Sequence, residues 1–450
     1  MKALVCVFAL GLLPATQGGE TQAEHIAIER DLLSLAARNV ETVRKSAVRL
    51  EIQDDGGRAC AGATVEILLR RHAFKFGSQA SPLVDNAEVR ANPGPFQRPF
   101  TRTFNFAVLP FFWRLYEPEP GVTIADRYAE PIAWARANGI ALKGHPLAWA
   151  YPDMLPPWVR ELSPTEAQRK LDERIETIVR TFRGRIDSWD VVNEPLHQVP
   201  WRGAANVGID QSAQVGGIDE IMRLADWVGR CFAAAQRGNP DGYFVLNEYA
   251  QYADVRVREN FYLLVRELQA RGVPLHAIGI QTHNPPQEWW DPRVVWQTWD
   301  LYRRLGLPIQ LTEFHPQSSG KPITGGWREG VWDEQAQADF GELMLRLAFG
   351  HPSVEVFNWW GLTDRYIWRP GGGLLDKDYR PKEIYRRLDH LVNEEWTTRL
   401  QLKTDAAGQA RFSGFHGTYE VVVSRDGREP ARYAAQLNRT EENRWSFIVP

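Results

Sequence analysis

The chain has 450 residues, more than the roughly 250 that one α/β barrel uses, so more than one compact unit is expected. Its 53 basic and 56 acidic residues give a net charge of −3 without a long run of one sign, which excludes a nucleic-acid footprint. Hydrophobic residues make up 44% and charged residues 24%, which excludes a disordered chain.

The first 18 residues have the pattern of a secretory leader. Lys2 supplies the positive start, Ala3–Leu13 form an apolar stretch too short to span a bilayer, and small residues such as Gly18 follow. We therefore predict a signal peptide over residues 1–18 and a secreted protein without a membrane anchor. Cys60 and Cys231 fall in segments that we assign to different domains, so no disulfide framework is expected.

Both ends of the remaining chain are rich in β patterns. In residues 19–73 a helical segment, Ile26–Val40, precedes two strand-like runs, Ala47–Gln53 and Thr64–Arg71, and the turn residues between them predict a β-hairpin. Residues 397–450 predict four more strands: Thr398–Lys403, Ala410–Phe415, Thr418–Ser424 and Trp445–Val449. Because neither end has many strands, we predict that they form one small accessory β-sandwich together.

Residues 74–396 alternate short apolar strands with amphipathic helices, which predicts an α/β fold. Eight strands are expected, the number that closes a (β/α)8 TIM barrel, and no internal repeat suggests a solenoid. The candidate strands are Phe74–Gly77, Phe104–Leu109, Ala141–Pro146, Ile186–Asn193, Tyr243–Glu248, Ala277–Thr282, Ile309–Thr312 and Val354–Trp359.

Polar side chains collect at the carboxyl ends of these strands, where barrels carry their functional residues. Glu194 ends strand four and Glu313 ends strand seven, and each follows an apolar run in which burying a carboxylate would otherwise be costly. One such glutamate is often structural, but two of them among Asn, Gln, His and Trp favour chemistry. Glycoside hydrolysis needs this pair, one group protonated and one ionised.

Several short motifs resemble those of glycoside hydrolase family 10, the endo-1,4-β-xylanases, in the order of that family. They are Lys143-Gly144-His145, Trp189 to Glu194, Ala277 to His283, Leu311-Thr312-Glu313 and Trp360 to Asp364. The resemblance implies a retaining enzyme with Glu194 as acid/base and Glu313 as nucleophile, no cofactor and no metal.

The resemblance also implies the residues that bind substrate. Asn193 would bond the sugar 2-hydroxyl, and Gln281 and His283 would bond the catalytic carboxylates. The remaining implied cleft residues are Lys143, His145, Trp149, Tyr249, Trp360 and Trp368. The partner would be a polysaccharide or oligosaccharide, with no nucleic acid, and a monomer is expected.

Two departures from the family bear on specificity and pH. After strand two, where the family has Glu, Asn and Lys, this chain has Val108, Leu109 and Phe112, so a hydroxyl-binding group is replaced by apolar surface. His315, which we also count among the substrate-binding residues, stands where the family has an aspartate two residues after the nucleophile, which affects the protonation of the neighbouring histidine.

Three alternatives remain open from the sequence. The same mechanism could act on another β-glycan or on an aryl β-glycoside, because the strand-two departure changes the sugar-binding surface. A non-catalytic carbohydrate-binding protein would keep the barrel without hydrolysis. A metal enzyme would need His145, His283 and His315 to converge, although no metal-binding motif is present.

Overall fold

A computed structural model describes residues 20–198, 217–283, 287–439 and 443–450. The segment predicted as a signal peptide, residues 1–18, lies outside the described residues. The structure has a closed eight-stranded parallel barrel and a two-sheet β-sandwich. The predicted fold class is therefore confirmed.

Strands in the described part of the chain fall into three groups: two terminal groups and the barrel. Their bounds are β1 (Lys45–Asp54), β2 (Thr64–His72), β3 (Lys75–Gln79), β4 (Phe106–Pro110), β5 (Ala141–His145), β6 (Ser188–Asn193), β7 (Tyr243–Glu248), β8 (Ala277–Ile280), β9 (Ile309–Phe314), β10 (Val354–Trp359), β11 (Arg399–Lys403), β12 (Gln409–Phe415), β13 (Gly417–Ser424), β14 (Ala431–Leu437) and β15 (Asn443–Val449).

The barrel runs in the order β10-β3-β4-β5-β6-β7-β8-β9 and then closes. All of its neighbouring strands pair in parallel. Since the strands are parallel, their carboxyl ends meet at one face, and the predicted polar side chains are gathered there. The strands are almost fully buried, as expected when helices cover the outside and side chains fill the inside.

Helices surround the barrel and connect its strands. Their bounds are α1 (Gln22–Val43), α2 (Pro82–Asp85), α3 (Ala87–Ala91), α4 (Gly94–Thr103), α5 (Trp113–Tyr116), α6 (Ala129–Ala137), α7 (Pro157–Arg160), α8 (Pro164–Thr181), α9 (Ile218–Gly238), α10 (Val255–Ala270), α11 (Pro292–Arg303), α12 (Glu334–Gly350) and α13 (Glu383–His390). Among these helices none is long and apolar enough to cross a membrane.

Side-chain caps fix where the long helices begin. Ser163 and Glu166 form a capping box at the start of α8, and aspartates cap α10, α11 and α12. Each cap satisfies backbone N–H groups that the first helical turn leaves without a partner. The boundaries are therefore encoded locally in the sequence.

The terminal segments form one sandwich, but the predicted hairpin is wrong. Strand β1 lies between β12 and β15, whereas β2 lies between β11 and β13 in the other sheet. The turn after β1 does form, with Asp54 N–H donating to Arg58 O at 2.9 Å, but the chain then crosses to the second sheet. Pairing with distant C-terminal strands puts the apolar sides of β1 and β2 on opposite walls of one core.

Helix α1 belongs to the outer layer of the barrel, although the sequence grouped it with the accessory domain. It packs along α12, where a Cβ on Gly350 would lie 2.5 Å from Cα of Ala36. After the helix, Arg44 donates to the carbonyl oxygens of Phe349 at 2.6 Å and Val354 at 2.6 Å. Arg44 thus ties the start of the sandwich to the base of the barrel.

The two cysteines of the described residues are both free and buried. Cys231 lies in the barrel core and Cys60 in the sandwich core. Phe412, Tyr419 and Trp445 also lie in the sandwich core, whereas Phe415 packs against the barrel core.

Candidate active site

The two predicted catalytic glutamates meet at the carboxyl-terminal face of the barrel. Glu194 directly follows β6 and is 9% exposed, and Glu313 lies in β9 and is 5% exposed. Both are therefore nearly enclosed carboxyl groups on rigid strand ends. Such burial is costly unless neighbouring groups satisfy the oxygens.

Glu194 is held in an unusual backbone conformation. Its φ is +55°, a left-handed value that a glutamate rarely adopts. Its backbone N–H donates to Asn247 O at 2.8 Å, and its carbonyl accepts from Gln198 N–H at 2.7 Å. These bonds hold the strained turn and aim the side chain across the barrel mouth.

Neutral donors surround the Glu194 carboxyl. Gln281 Nε2 donates to Oε1 at 2.8 Å, Asn193 Nδ2 donates to the same oxygen at 3.1 Å, and Trp149 Nε1 donates to Oε2 at 2.9 Å. No Lys or Arg forms an ion pair with this group among the described residues. The carboxyl is hydrogen-bonded but not neutralised.

Glu313 has two histidines among its neighbours. Asn247 Nδ2 donates to its Oε1 at 2.9 Å, and His283 Nε2 lies 3.0 Å from Oε2. His145 Nε2 is 3.8 Å from Oε1. Deeper in the barrel, the Lys143 ammonium favours the ionised form of Glu313, and the Asp190 carboxylate paired with it disfavours that form.

Three side-chain amides join the two carboxyl groups. Asn193 Oδ1 accepts from Asn247 Nδ2 at 2.9 Å and from Gln281 Nε2 at 3.1 Å. Because those two amides also donate to Glu313 and Glu194, the carboxyls are fixed relative to one another.

Gly279 leaves the space that this arrangement needs. A Cβ there would lie 2.2 Å from Asn247 Oδ1. Thr312 then orients the Asn247 amide by donating to the same oxygen at 2.7 Å. A side chain at position 279 would therefore displace the amide that holds Glu313.

The protonation of both glutamates is shifted upward. Burial raises the pKa of Glu194 to about 7, and repulsion from Glu248 and Glu313 acts in the same direction. Burial also raises the pKa of Glu313 to about 7; His145, the Asn247 hydrogen bond and Lys143 oppose the rise, whereas Asp190 adds to it. The two carboxyl groups therefore form a coupled pair that can share one proton near neutral pH.

Lys143 lies beneath the site and does not line the cleft as predicted. It is 1% exposed, with Nζ 2.5 Å from Asp190 Oδ1 and 2.8 Å from Gln310 Oε1. Asp190 Oδ2 in turn lies 2.8 Å from His145 Nδ1. Alternation along β5 points Lys143 into the barrel one layer below His145, where its charge compensates that of Asp190.

Aromatic side chains line the mouth of the barrel. Trp149 stacks on Tyr151 at 4.9 Å, and the largely buried Trp360 lies edge-on to His145 at 5.2 Å. Trp368 is 64% exposed, an unusual position for a tryptophan. Half-buried Tyr249 stacks on His197 at 3.8 Å beside Glu194. An exposed indole such as that of Trp368 suits the apolar faces of sugar rings.

The three apolar residues that replace the family's polar group after the second barrel strand do not all face the site. Val108 packs inside the barrel against Trp360, and Phe112 contacts His145 and Trp149 with ring centroids 5.6 and 5.8 Å away. Leu109 is fully buried in the outer core and does not face the cleft, because neighbouring strand residues point to opposite sides. Only Val108 and Phe112 therefore make this side of the site apolar.

Three polar residues at the site were not selected from the sequence. They are Asn247, Asp190 and Glu248. Glu248 is fully buried and accepts from Leu196 N–H and Tyr249 N–H, each at 2.8 Å. Asn247 and Glu248 could have been found because they end the buried strand β7 just before the selected Tyr249, and Asp190 lies in buried β6 three residues before the selected Asn193.

Within the described ranges the histidines show no metal-binding cluster. His283 and His315 are neighbours, but no group of three or more His, Cys, Asp or Glu in the described ranges could hold a metal ion. The alternative of a metal enzyme therefore has no site in this part of the chain.

The fold and the paired carboxyl groups are those of the glycoside hydrolase barrels. Residues 113–390, more than half of the chain, match the model for glycosyl hydrolase family 10. The chain belongs to that family, and the resemblance noted in the sequence is confirmed.

Relatives with known names include both enzymes and a regulator. The chain is 29% identical over 409 residues to anti-sigma-I factor RsgI6 of Acetivibrio thermocellus, covering 90% of this chain and 48% of that protein. It is 28% identical over 397 residues to endo-1,4-beta-xylanase 2 of Arabidopsis thaliana, covering 87% of this chain and 33% of that protein. The chain thus spans half or less of the length of these two relatives.

Solved structures agree on the fold. Native xylanase 10B from Thermotoga maritima superposes with a TM-score of 0.58 at 23% identity, covering 72% of this chain and 96% of that one. Xylanase 10B from Thermotoga petrophila in complex with xylobiose gives a TM-score of 0.57, also at 23% identity, over 72% and 95%.

Proposed function

We propose that the protein is a secreted, retaining β-glycanase that hydrolyses β-1,4-linked xylan, with Glu194 as acid/base and Glu313 as nucleophile. The observation that carries the proposal is the contrast between two linked carboxyls. Glu194 accepts hydrogen bonds only from neutral donors, whereas Glu313 faces His145 and the buried Lys143–Asp190 ion pair. One proton shared by the pair then rests on Glu194, which is the state that a retaining reaction requires.

The reaction proceeds in two displacements. Ionised Glu313 attacks the anomeric carbon while Glu194 gives its proton to the departing glycosidic oxygen, which forms a glycosyl ester on Glu313. Glu194, now ionised, takes a proton from water, and the resulting nucleophile breaks the ester and frees Glu313. Loss of charge on Glu313 in the first step allows the pKa of Glu194 to fall to match its new role as a base.

Xylan is supported as the substrate by the names of several relatives and by the indoles at the barrel mouth. Trp149, Trp360 and Trp368 offer stacking surfaces, and Asn193 and Tyr249 lie beside Glu194. Val108 and Phe112 favour a second candidate, in which the same mechanism acts on another β-glycan or an aryl β-glycoside. Rates on xylan, mixed-linkage glucan, cellulose and aryl β-xylosides separate these candidates.

Two alanine variants test the catalytic roles. Glu194→Ala and Glu313→Ala should each lower kcat/KM on xylan by at least about 10³-fold. Exposed Glu66, on β2 of the sandwich, provides a matched control, and Glu66→Ala should keep wild-type rates. Circular dichroism of each variant establishes that the fold is kept.

Azide distinguishes the two roles. With an aryl β-xyloside, azide should yield a β-azide product from Glu194→Ala and an α-azide product from Glu313→Ala, because only the former still forms the glycosyl ester. Full activity in either alanine variant would refute the assignment. Binding of xylo-oligosaccharides by the wild-type protein without release of reducing ends would instead favour a non-catalytic carbohydrate-binding protein.

Secretion and a monomeric state are tested separately. Expression with and without residues 1–18 should give export and amino-terminal processing only when they are present. Light scattering of the purified protein should give the mass of one chain, 51.4 kDa less any removed leader.

A further inference from the structure

A pair of histidines lies behind the candidate nucleophile. The rings of His283 and His315 are 4.5 Å apart and nearly perpendicular, at 79°. His315 is 1% exposed, and the side chain of His283 is 14% exposed. His283 Nε2 is 3.0 Å from Glu313 Oε2, so the pair is attached directly to the reacting carboxyl.

The hydrogen bonds fix where each ring carries its proton. His315 Nδ1 is 3.1 Å from the carbonyl oxygen of Glu313, and a carbonyl only accepts, so His315 carries its proton on Nδ1. The Glu313 carboxylate likewise requires His283 to carry a proton on Nε2. The other two nitrogens, His283 Nδ1 and His315 Nε2, are buried and have no hydrogen-bond partner among the residues that the structure describes.

The charges around the pair keep both rings neutral. Glu313 is the only carboxylate paired with either ring among the described residues, and His145 faces His283 from β5. From the loop after β10, buried Arg369 donates to His315 O at 3.2 Å and places its guanidinium 4.8 Å from the Trp368 ring centroid. Burial lowers the pKa of His283 and of His315 well below the ordinary value, and Arg369 lowers both further.

We propose that His315 is a positioning residue that keeps His283 an uncharged donor to the nucleophile and thereby sets the acid limb of the pH–rate profile. The inference rests on the proposed function for its kinetic part. A neutral donor gives Glu313 one hydrogen bond but no compensating charge, so the nucleophile is lost to protonation at a relatively high pH. The pair therefore adapts the site to neutral and alkaline conditions.

A carboxylate at position 315 would reverse this effect. It would accept from His283 Nδ1, stabilise the imidazolium and place a positive charge 3.0 Å from Glu313 Oε2. The ionised nucleophile would then persist to lower pH. An uncharged amide of the same shape would not supply that charge.

The matched variants are His315→Asp and His315→Asn, which differ only in charge. Profiles of kcat/KM against pH on an aryl β-xylobioside should place the acid limb of His315→Asp at least about one pH unit below that of His315→Asn. The limb of His315→Asn should stay near that of wild type. Coincident acid limbs for Asp and Asn, even with lowered rates, would reduce His315 to a packing residue and overturn the proposal.

A second measurement does not depend on turnover. In wild-type protein labelled with ¹⁵N-histidine, the His283 signals, assigned with His283→Gln, should show a protonated Nε2 and a bare Nδ1 at pH 7. A doubly protonated His283 at pH 7 would overturn the proposal. If wild type hydrolyses no glycan, the proposed function fails, but the nitrogen signals still decide the state of the histidine pair.

Discussion

Replacing Glu194 by Gln should change how the stability of the protein depends on pH, because an amide cannot ionise. In the folded protein burial raises the pKa of Glu194 from 4.5 to about 7. In the unfolded chain the same carboxyl is in water and titrates near its ordinary value. The folded and unfolded states therefore hold different numbers of protons between these two values.

The sign and size of the effect follow from that difference. Below about pH 4.5 both states are protonated, and the carboxyl does not affect the free energy of unfolding. Between 4.5 and about 7 only the unfolded state releases its proton, so wild type loses stability as the pH rises. A shift of about 2.5 pH units lowers the free energy of unfolding of wild type by roughly 3 kcal/mol over this range. Glu194→Gln has no ionisable group at this position, so its free energy of unfolding should not show this decrease.

Thermal unfolding of both proteins, followed by tryptophan fluorescence at pH 4.5 and pH 8, measures this difference. Relative to wild type, the Tm of Glu194→Gln should rise by about 5 °C between the two pH values. Any constant defect, such as an amide facing the Trp149 N–H, cancels in the comparison. The control Glu66→Gln should show no such change in Tm relative to wild type. If Glu194→Gln also showed none, burial would not be the reason that Glu194 stays protonated in the folded protein.

Three further substitutions test separate parts of the site. Trp149→Phe removes a donor to ionised Glu194, so the basic limb of kcat/KM should move up by about 0.5–1 pH unit. Trp368→Ala should raise KM several-fold but change the free energy of unfolding by only about 0.5 kcal/mol, because the ring is 64% exposed. Lys143→Met leaves the buried Asp190 carboxylate without its ion-pair partner, so the free energy of unfolding in urea should fall by about 3–5 kcal/mol. Adding Asp190→Asn should recover part of this loss.

The barrel could be predicted because its signals are local. Two of its strands, Tyr243–Glu248 and Val354–Trp359, have the predicted bounds, and the others differ at one or both ends. The hairpin failed because the partners of β1 are set by tertiary contacts that no local pattern reveals. Strand β14 was missed because it is an edge strand with small and polar residues on its exposed side.

The sequence predicts where the candidate site lies on the barrel, but not which residues near it face the cleft. Strand ends identified the positions of Glu194 and Glu313, since parallel strands must present them at one face. The sequence did not reveal that Lys143 points below the floor or that Leu109 points outward, because this depends on which side of the strand each residue occupies. A shift of one residue in the pairing of a strand moves each of its side chains to the opposite face of the barrel wall.

The sandwich affects how the chain folds during synthesis, because its first strands are made long before their partners. Strands β1 and β2 emerge early, yet Ser46 bonds to His416, 370 positions later. Strands β1 and β2, which have apolar faces, therefore stay unpaired until the last strands leave the ribosome. The barrel, whose sequence lies between these two groups of strands, is synthesised in the meantime. A chain that terminates after α13 would keep the barrel strands but leave β1 and β2 with both edges of each strand unpaired, which makes it prone to association with other copies.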